Sequence, residues 1–344
     1  MSKHEHSIWR IYGFALSSSL VITLLVGWRL GLSSLLTVLV LAGIEISFSF
    51  DNAIINAKIL QRMSKLWQQL FMTVGIIIAV FVVRMLVPLL IVSVTAHLSL
   101  GKVTNLVLHH PAEYSDYLKG SHSVIAAFGG MFLLMIFLDF IFEARQVMWL
   151  EPLEKRLAKV GKLETLSIFI AFTVMLVATL TSGINSHSVF WAGSFGIFLY
   201  LAVNTLEGGE QLEISSAKNQ SKSLIKAGLI GFLYLEMIDA SFSLDSVIGA
   251  FAITTNILLI TAGLAIGALF VRAMTIHLLR RGTLAKYIYL EHGAHYAIGL
   301  LALLLLTSIR FEMPEWLTGL SGITIIGLAL LDSYFEAKRE KSSS

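Results

Sequence analysis

The chain has 344 residues, 56% of them hydrophobic and 14% charged, with a mean hydropathy of +0.80. Soluble domains carry about a quarter charged residues, so a soluble globular protein is excluded. A net charge of +3 is too small to suggest a nucleic-acid partner, and zero cysteines remove disulfides, thiolate metal sites and Cys nucleophiles, leaving oxygen or imidazole as metal ligands.

In chain order, apolar windows of about 20 residues predict ten membrane helices, at 11–29, 33–57, 70–96, 122–143, 164–182, 189–206, 224–251, 257–279, 286–308 and 316–336. The fold class expected is an all-α polytopic bundle. The first span follows Lys3 and Arg10, and Gly27-Trp28-Arg29 offers no cleavage site, so it is expected to be retained. Residues 100–120, with His109, His110, Glu113 and Asp116, read as a solvated external connector. Residues 150–162 place Leu150, Leu153, Leu157 and Val160 on one stripe with Lys and Arg elsewhere, which predicts a cytoplasmic amphipathic helix on the bilayer surface. If ten spans alternate, 19 of the 25 basic residues fall on one side and both termini are cytoplasmic.

An internal repeat stands out. Ile44-Glu45-Ile46-Ser47-Phe48-Ser49-Phe50-Asp51-Asn52-Ala53-Ile54 aligns without a gap on Ile238-Asp239-Ala240-Ser241-Phe242-Ser243-Leu244-Asp245-Ser246-Val247-Ile248, with six of eleven positions identical. Each copy precedes a helix with an embedded arginine, Arg84 and Arg272. The repeat divides the chain into a first membrane unit, 1–182, around the motif helix 33–57, and a second, 183–344, around the motif helix 224–251. In the second and seventh of ten spans the copies run in opposite directions, the inverted-repeat arrangement in which transporters build midplane sites from discontinuous helices. At about 100° per residue, Glu45, Ser49 and Asn52 share a stripe while Ser47 and Asp51 lie on another. Unwinding is therefore expected around 47–51 and 241–245, where Ser and Asp compete for local backbone.

Glu45, Asp51, Glu236, Asp239 and Asp245 all fall inside predicted spans, where an unpaired charge costs about 2.5–3.5 kcal/mol. Arg84 and Arg272 can each balance one acid, leaving an excess of negative charge that suits a divalent cation or protons. With Asn52, Ser246 and the neighbouring serine hydroxyls, the ligand set is all hard oxygen, matching Mn²⁺, Mg²⁺ or Ca²⁺. The alternative is that these acids are protonated or hydrogen-bonded between packed helices. Asp139 and Glu143, and the similar pair Asp332 and Glu336, sit at span ends and read equally as an ion vestibule or as interface charges. Glu291, His292 and His295 share one helix face, as a packing cluster or a relay. No nucleophile elbow, Walker A, HExxH or dinucleotide fingerprint occurs in its required context, so neither an enzyme nor a resident cofactor is expected.

The two acidic motifs, with Glu236 and Glu291-His292-Gly293, resemble the paired signatures of the TerC superfamily of integral membrane proteins, most closely its functionally uncharacterised branch. The resemblance extends over about residues 30–340. It implies metal-ion homeostasis: efflux of a divalent cation, manganese foremost, from the cytoplasm of a bacterium across its inner membrane, with proton exchange as a drive. By position it implies Asp51 and Asp245 as central ligands, with Glu45, Asp239, Asn52 and Ser246 completing the shell or accepting protons. A homo-oligomer is compatible with this reading, and so is a non-transporting accessory or metal-stress-sensing protein.

Overall fold

The computed structural model describes residues 8–161, 165–183, 186–216, 220–311 and 313–343, and among these every regular element is helical. The helices are α1 (Ile8–Phe48), α2 (Phe50–Gln61), α3 (Lys65–Ile77), α4 (Val87–Thr95), α5 (Leu100–His109), α6 (Pro111–Gly120), α7 (His122–Phe142), α8 (Glu151–Val160), α9 (Leu166–Thr181), α10 (Ser186–Ser216), α11 (Gln220–Ile253), α12 (Ile257–Arg281), α13 (Thr283–Lys286), α14 (Leu290–Ser308) and α15 (Glu315–Ser343). The nine residues Ile78–Leu86 between α3 and α4 wind as a π-helix.

Seven stretches among the described residues are long and apolar enough to cross a membrane: Ile11–Ser47, Lys65–Thr95, His122–Phe142, Ser186–Thr205, Ile257–Arg281, Leu290–Ser308 and Leu320–Arg339. The protein is a helical membrane protein. Outward-facing side chains such as Phe14, Leu24 and Trp28 on α1 and Phe169 and Leu180 on α9 are large and apolar, as a lipid-facing surface requires. The difference from ten predicted spans has physical causes. The first two windows lie on α1, which is two helices joined at Gly31, Leu166–Thr181 is a shorter apolar helix, and α11 carries acids in its middle.

Within α1 the helix is interrupted at Gly31 (φ 84°, ψ 175°), a conformation that a β-carbon disfavours and glycine permits. α7 is the most enclosed element and packs against α10, α14, α9 and α11, while α1 lies along α12 and α14 along α15. Elements of the first predicted unit thus pack directly on elements of the second.

Two segments differ from their sequence reading. Residues 100–120 are a packed helical pair rather than a solvated connector: Val103, Leu106, Tyr114 and Leu118 are buried, and Tyr114 meets Phe251 edge-on at 5.4 Å. Their apolar residues fall every third or fourth position and close over the end of α11. The predicted amphipathic helix is present as α8, with Leu150, Leu153 and Val160 exposed. Its inner face is acidic: buried Glu154 accepts from the backbone N–H groups of Trp149 and Leu150 at 3.2 and 2.9 Å and from the Tyr296 hydroxyl at 3.1 Å.

The two motif helices also correct an expectation. Unwinding at 47–51 reduces to a one-residue turn at Ser49 between α1 and α2, and 241–245 is continuous helix within α11. The backbone keeps its ladder, Ser49 N–H donating to Glu45 O at 3.0 Å and Ala53 N–H to Ser49 O at 3.2 Å. The serines bond back along their own helix and satisfy their polarity without breaking it.

Candidate cation site

The acids in the bundle fall into two environments. The first is an arginine-bound cluster. Glu45, fully buried on α1, pairs through Oε1 with Nη2 of Arg84, and Ser49 Oγ donates to the same oxygen at 3.2 Å. Arg84 sits on the π-helical turn and also donates from Nη1 to Ala79 O at 2.9 Å. π-helical windings concentrate at functional positions. Arg272 on α12 donates from Nη2 to both oxygens of Glu236 at 3.0 and 3.1 Å and lies 3.6 Å from Asp239 Oδ2. Its Nη1 reaches Phe71 O at 2.7 Å, and the guanidinium lies 3.9 Å from the Phe71 ring centroid.

The pattern follows the repeat: the leading acid of each motif, Glu45 or Asp239, lies against the arginine of the next long helix. Close approach is made possible by missing side chains. A β-carbon at Gly267 would fall 2.2 Å from Glu45 Cγ, and one at Gly75 would fall 2.4 Å from Arg272 Nη1. The two motifs are tied together by Asn52, whose Nδ2 donates to Asp239 Oδ1 at 2.7 Å.

The second environment is a cavity of about 50 Å³, lined by Ser47, Ser49 and Asp51 from the first motif and Ser241 and Ser246 from the second. Asp51 is buried, accepts from the Asn52 backbone N–H at 2.9 Å, and has no ion-pair partner among the described residues. Leu244 and Asp245 lie on α11 in the second motif, but the Asp245 side chain is outside the described residues. All four hydroxyls give their proton to protein acceptors: Ser47 to Gly43 O at 2.7 Å, Ser49 to Glu45, Ser241 to Met237 O at 3.0 Å and Ser246 to Ser243 O at 2.9 Å. An oxygen that has spent its proton offers lone pairs alone. One carboxylate and four such hydroxyls make the cavity an acceptor-rich place.

Among the described residues, the buried oxygens Glu45 Oε2 and Asn52 Oδ1 have no hydrogen-bond partner, and Asp239 Oδ2 has only the Arg272 guanidinium at 3.6 Å. Buried acceptors left unpaired are uncommon, and a cation or proton would supply what they lack. Among the described residues, no three His, Asp or Glu side chains converge in a metal-binding arrangement.

Among the described residues, the sequence-predicted candidates are divided between the two environments. Asp51 and Ser246 line the cavity, Asn52 lies beside it, and Glu45, Glu236 and Asp239 are held by Arg84 and Arg272. The remaining polar candidates interlock at the opposite end of α2. Lys58 donates to Glu291 at 2.6 Å; Arg145 reaches Glu291 at 3.2 Å and Glu143 at 2.5 Å. His295 stacks on Phe140 with ring centroids 3.7 Å apart, and His292 Nε2 lies 3.0 Å from Val147 O. Asp139 accepts from Tyr200 at 2.7 Å and Asp332 from Trp149 Nε1 at 2.8 Å.

A family of proteins described as a protein of unknown function (DUF475) matches residues 50–340, well over half of the chain. The chain belongs to the DUF475 family. The shared stretch runs from the first residue of α2 into α15, so it holds Asp51, Asn52, the whole second motif and both arginines, while Glu45 precedes it. No curated protein and no solved structure matches this DUF475 chain.

Proposed function

We propose that this DUF475 protein is a secondary transporter that exports a divalent cation, with Mn²⁺ the first candidate and Mg²⁺ or Ca²⁺ next, from the cytoplasm by alternating exposure of the Asp51 cavity. One observation carries the reading: two sequence motifs nearly two hundred residues apart bring a buried, unpaired carboxylate and four proton-spent hydroxyls to one small cavity. Hard oxygen acceptors in that number suit a hard divalent ion. The resemblance of the motifs to the TerC superfamily adds manganese efflux and proton exchange. Dividing α1 at Gly31 and adding Leu166–Thr181 and α11 to the apolar stretches restores ten crossings. The two motifs then run in opposite directions, as inverted repeats do. Basic residues would place both termini in the cytoplasm, in a bacterial inner membrane.

In this mechanism Asp51 and the hydroxyls take the ion from one side. The arginine-bound acids hold the two motif helices in register, and Asn52 connects the parts. The test is uptake of Mn²⁺ by proteoliposomes, with and without a proton gradient, comparing the parent with the D51N/D245N double variant. Movement in the parent, lost in the variant, is the expected result. Equal movement in both rejects the site, and no movement of any ion rejects transport. In that last case the firm anchoring of three acids on arginines would favour the non-transporting accessory or sensing role.

A further inference from the structure

We infer that Gly322 on α15 sets how much water a cation keeps at Asp51, which makes the cavity a site for a partly hydrated divalent ion. The inference rests on the cation-site reading above and adds a residue outside both motifs. Gly322 lines the same cavity, and a β-carbon built there would lie 3.7 Å from Asp51 Oδ2 and 3.9 Å from Ala297 Cβ. These are ordinary contact distances. Packing therefore does not demand glycine at 322, as it does at Gly267 and Gly75, where an added carbon would collide with Glu45 or Arg272. What glycine provides at 322 is open volume against the free side of a carboxylate.

The size of that volume matters. A water needs about 10–15 Å³ of such space, so a cavity of about 50 Å³ holds an ion with a few waters and no more. With Asp51 binding through one oxygen, it and the four hydroxyls supply five oxygens, short of the shell of six or more that hard divalent ions take. Water beside Asp51 Oδ2, in the space left by Gly322, completes it. Mg²⁺ gives up its waters reluctantly and depends on that space more than Mn²⁺ does.

The experiment is calorimetric binding of Mn²⁺ and Mg²⁺ to the full-length protein in detergent, for the parent, G322A, G322S, G327A and D51N. Gly327 is on the same helix with open space around it, so G327A controls for helix propensity. In G322A, Mg²⁺ affinity is expected to fall about tenfold relative to Mn²⁺, the size of one lost water-mediated contact worth ~1.4 kcal/mol. G322S, whose hydroxyl stands in for the displaced water, should recover most of the loss, and G327A should bind like the parent. A Mn²⁺ to Mg²⁺ ratio unchanged in G322A overturns the inference. If D51N binds like the parent, or the parent binds neither ion, the cation-site reading itself falls and takes the inference with it. Should G322A fail to fold, water-proton relaxation of Mn²⁺ bound to the parent decides: exchangeable water on the bound ion is the expected result, and an ion without exchangeable water overturns the inference.

Discussion

Four described carboxylates lie within the same helical bundle under two opposed conditions. Glu45, Glu236 and Asp239 are held by two guanidinium groups, with glycines letting the helices close around them. Asp51 is as well buried, yet it faces a cavity with a backbone N–H as its donor and no cationic side chain beside it among the described residues. A carboxylate committed to arginine is a poor ligand for a metal, because the ion must first displace a charge that is already in place. A carboxylate kept apolar on most sides and unpaired on one is costly to maintain. The difference separates acids held by arginine from an acid that faces a cavity, the one the proposed function assigns to a ligand.

That separation can be broken first where the expected effect is largest. Arg272→Met removes the guanidinium that pairs with Glu236 and Asp239 and should lower stability by about 3–5 kcal/mol, as removal of one partner from a buried pair does. Thermal unfolding in detergent measures it. The double variant E45M/R84M removes both charges of the other pair and should stay within about 1–2 kcal/mol of the parent, since an apolar replacement of similar volume costs little. If R272M melts with the parent, the cluster is not what holds α11 and α12 together.

These distinctions were partly legible in the chain. The repeat, the membrane class and the two arginines follow from residue identity, because buried charge is rare enough to be conspicuous in an apolar sequence. The assignment of each acid to its partner is not legible: Glu45 and Asp51 are six residues apart on one motif, and whether an arginine or a cavity meets them depends on how α12, the π-helical turn and α15 pack. Gly322 gave no signal at all, being one glycine among 26. Residues 100–120 read as a connector because His, Glu, Asp and Lys dilute the apolar positions over the whole segment, whereas the packing rests on the spacing of Val103, Leu106, Tyr114 and Leu118. The serines of the motifs suggested unwinding because they favour local bonds; here those bonds run back along an intact helix.

An intermediate effect is expected where the two environments touch. Asn52→Ala removes the donor to Asp239 Oδ1 and should cost about 1–2 kcal/mol, between the value for hydrogen bonds to charged groups and the lower average between membrane helices. The same melting assay reads it. A loss as large as that of R272M would mean that the two motif helices depend on Asn52 and not on the arginines.

The smallest effect on the fold should come from Asp51, the residue on which the proposed function depends. In Asp51→Asn the amide oxygen can still accept from the Asn52 N–H, and a buried charge is removed, so the metal-free melting midpoint should move by no more than ~0.5 kcal/mol equivalent. Added Mn²⁺ should then tell the two environments apart. An ion that binds the folded state at a hundred times its dissociation constant stabilises it by about 2.7 kcal/mol, so the parent should melt higher with Mn²⁺ and D51N should not. Glu45→Gln should behave in the opposite way, melting lower than the parent because Arg84 loses its partner, while keeping the Mn²⁺ shift. If instead E45Q loses the shift and D51N retains it, the ion sits among the arginine-bound acids and the roles of the two regions are exchanged.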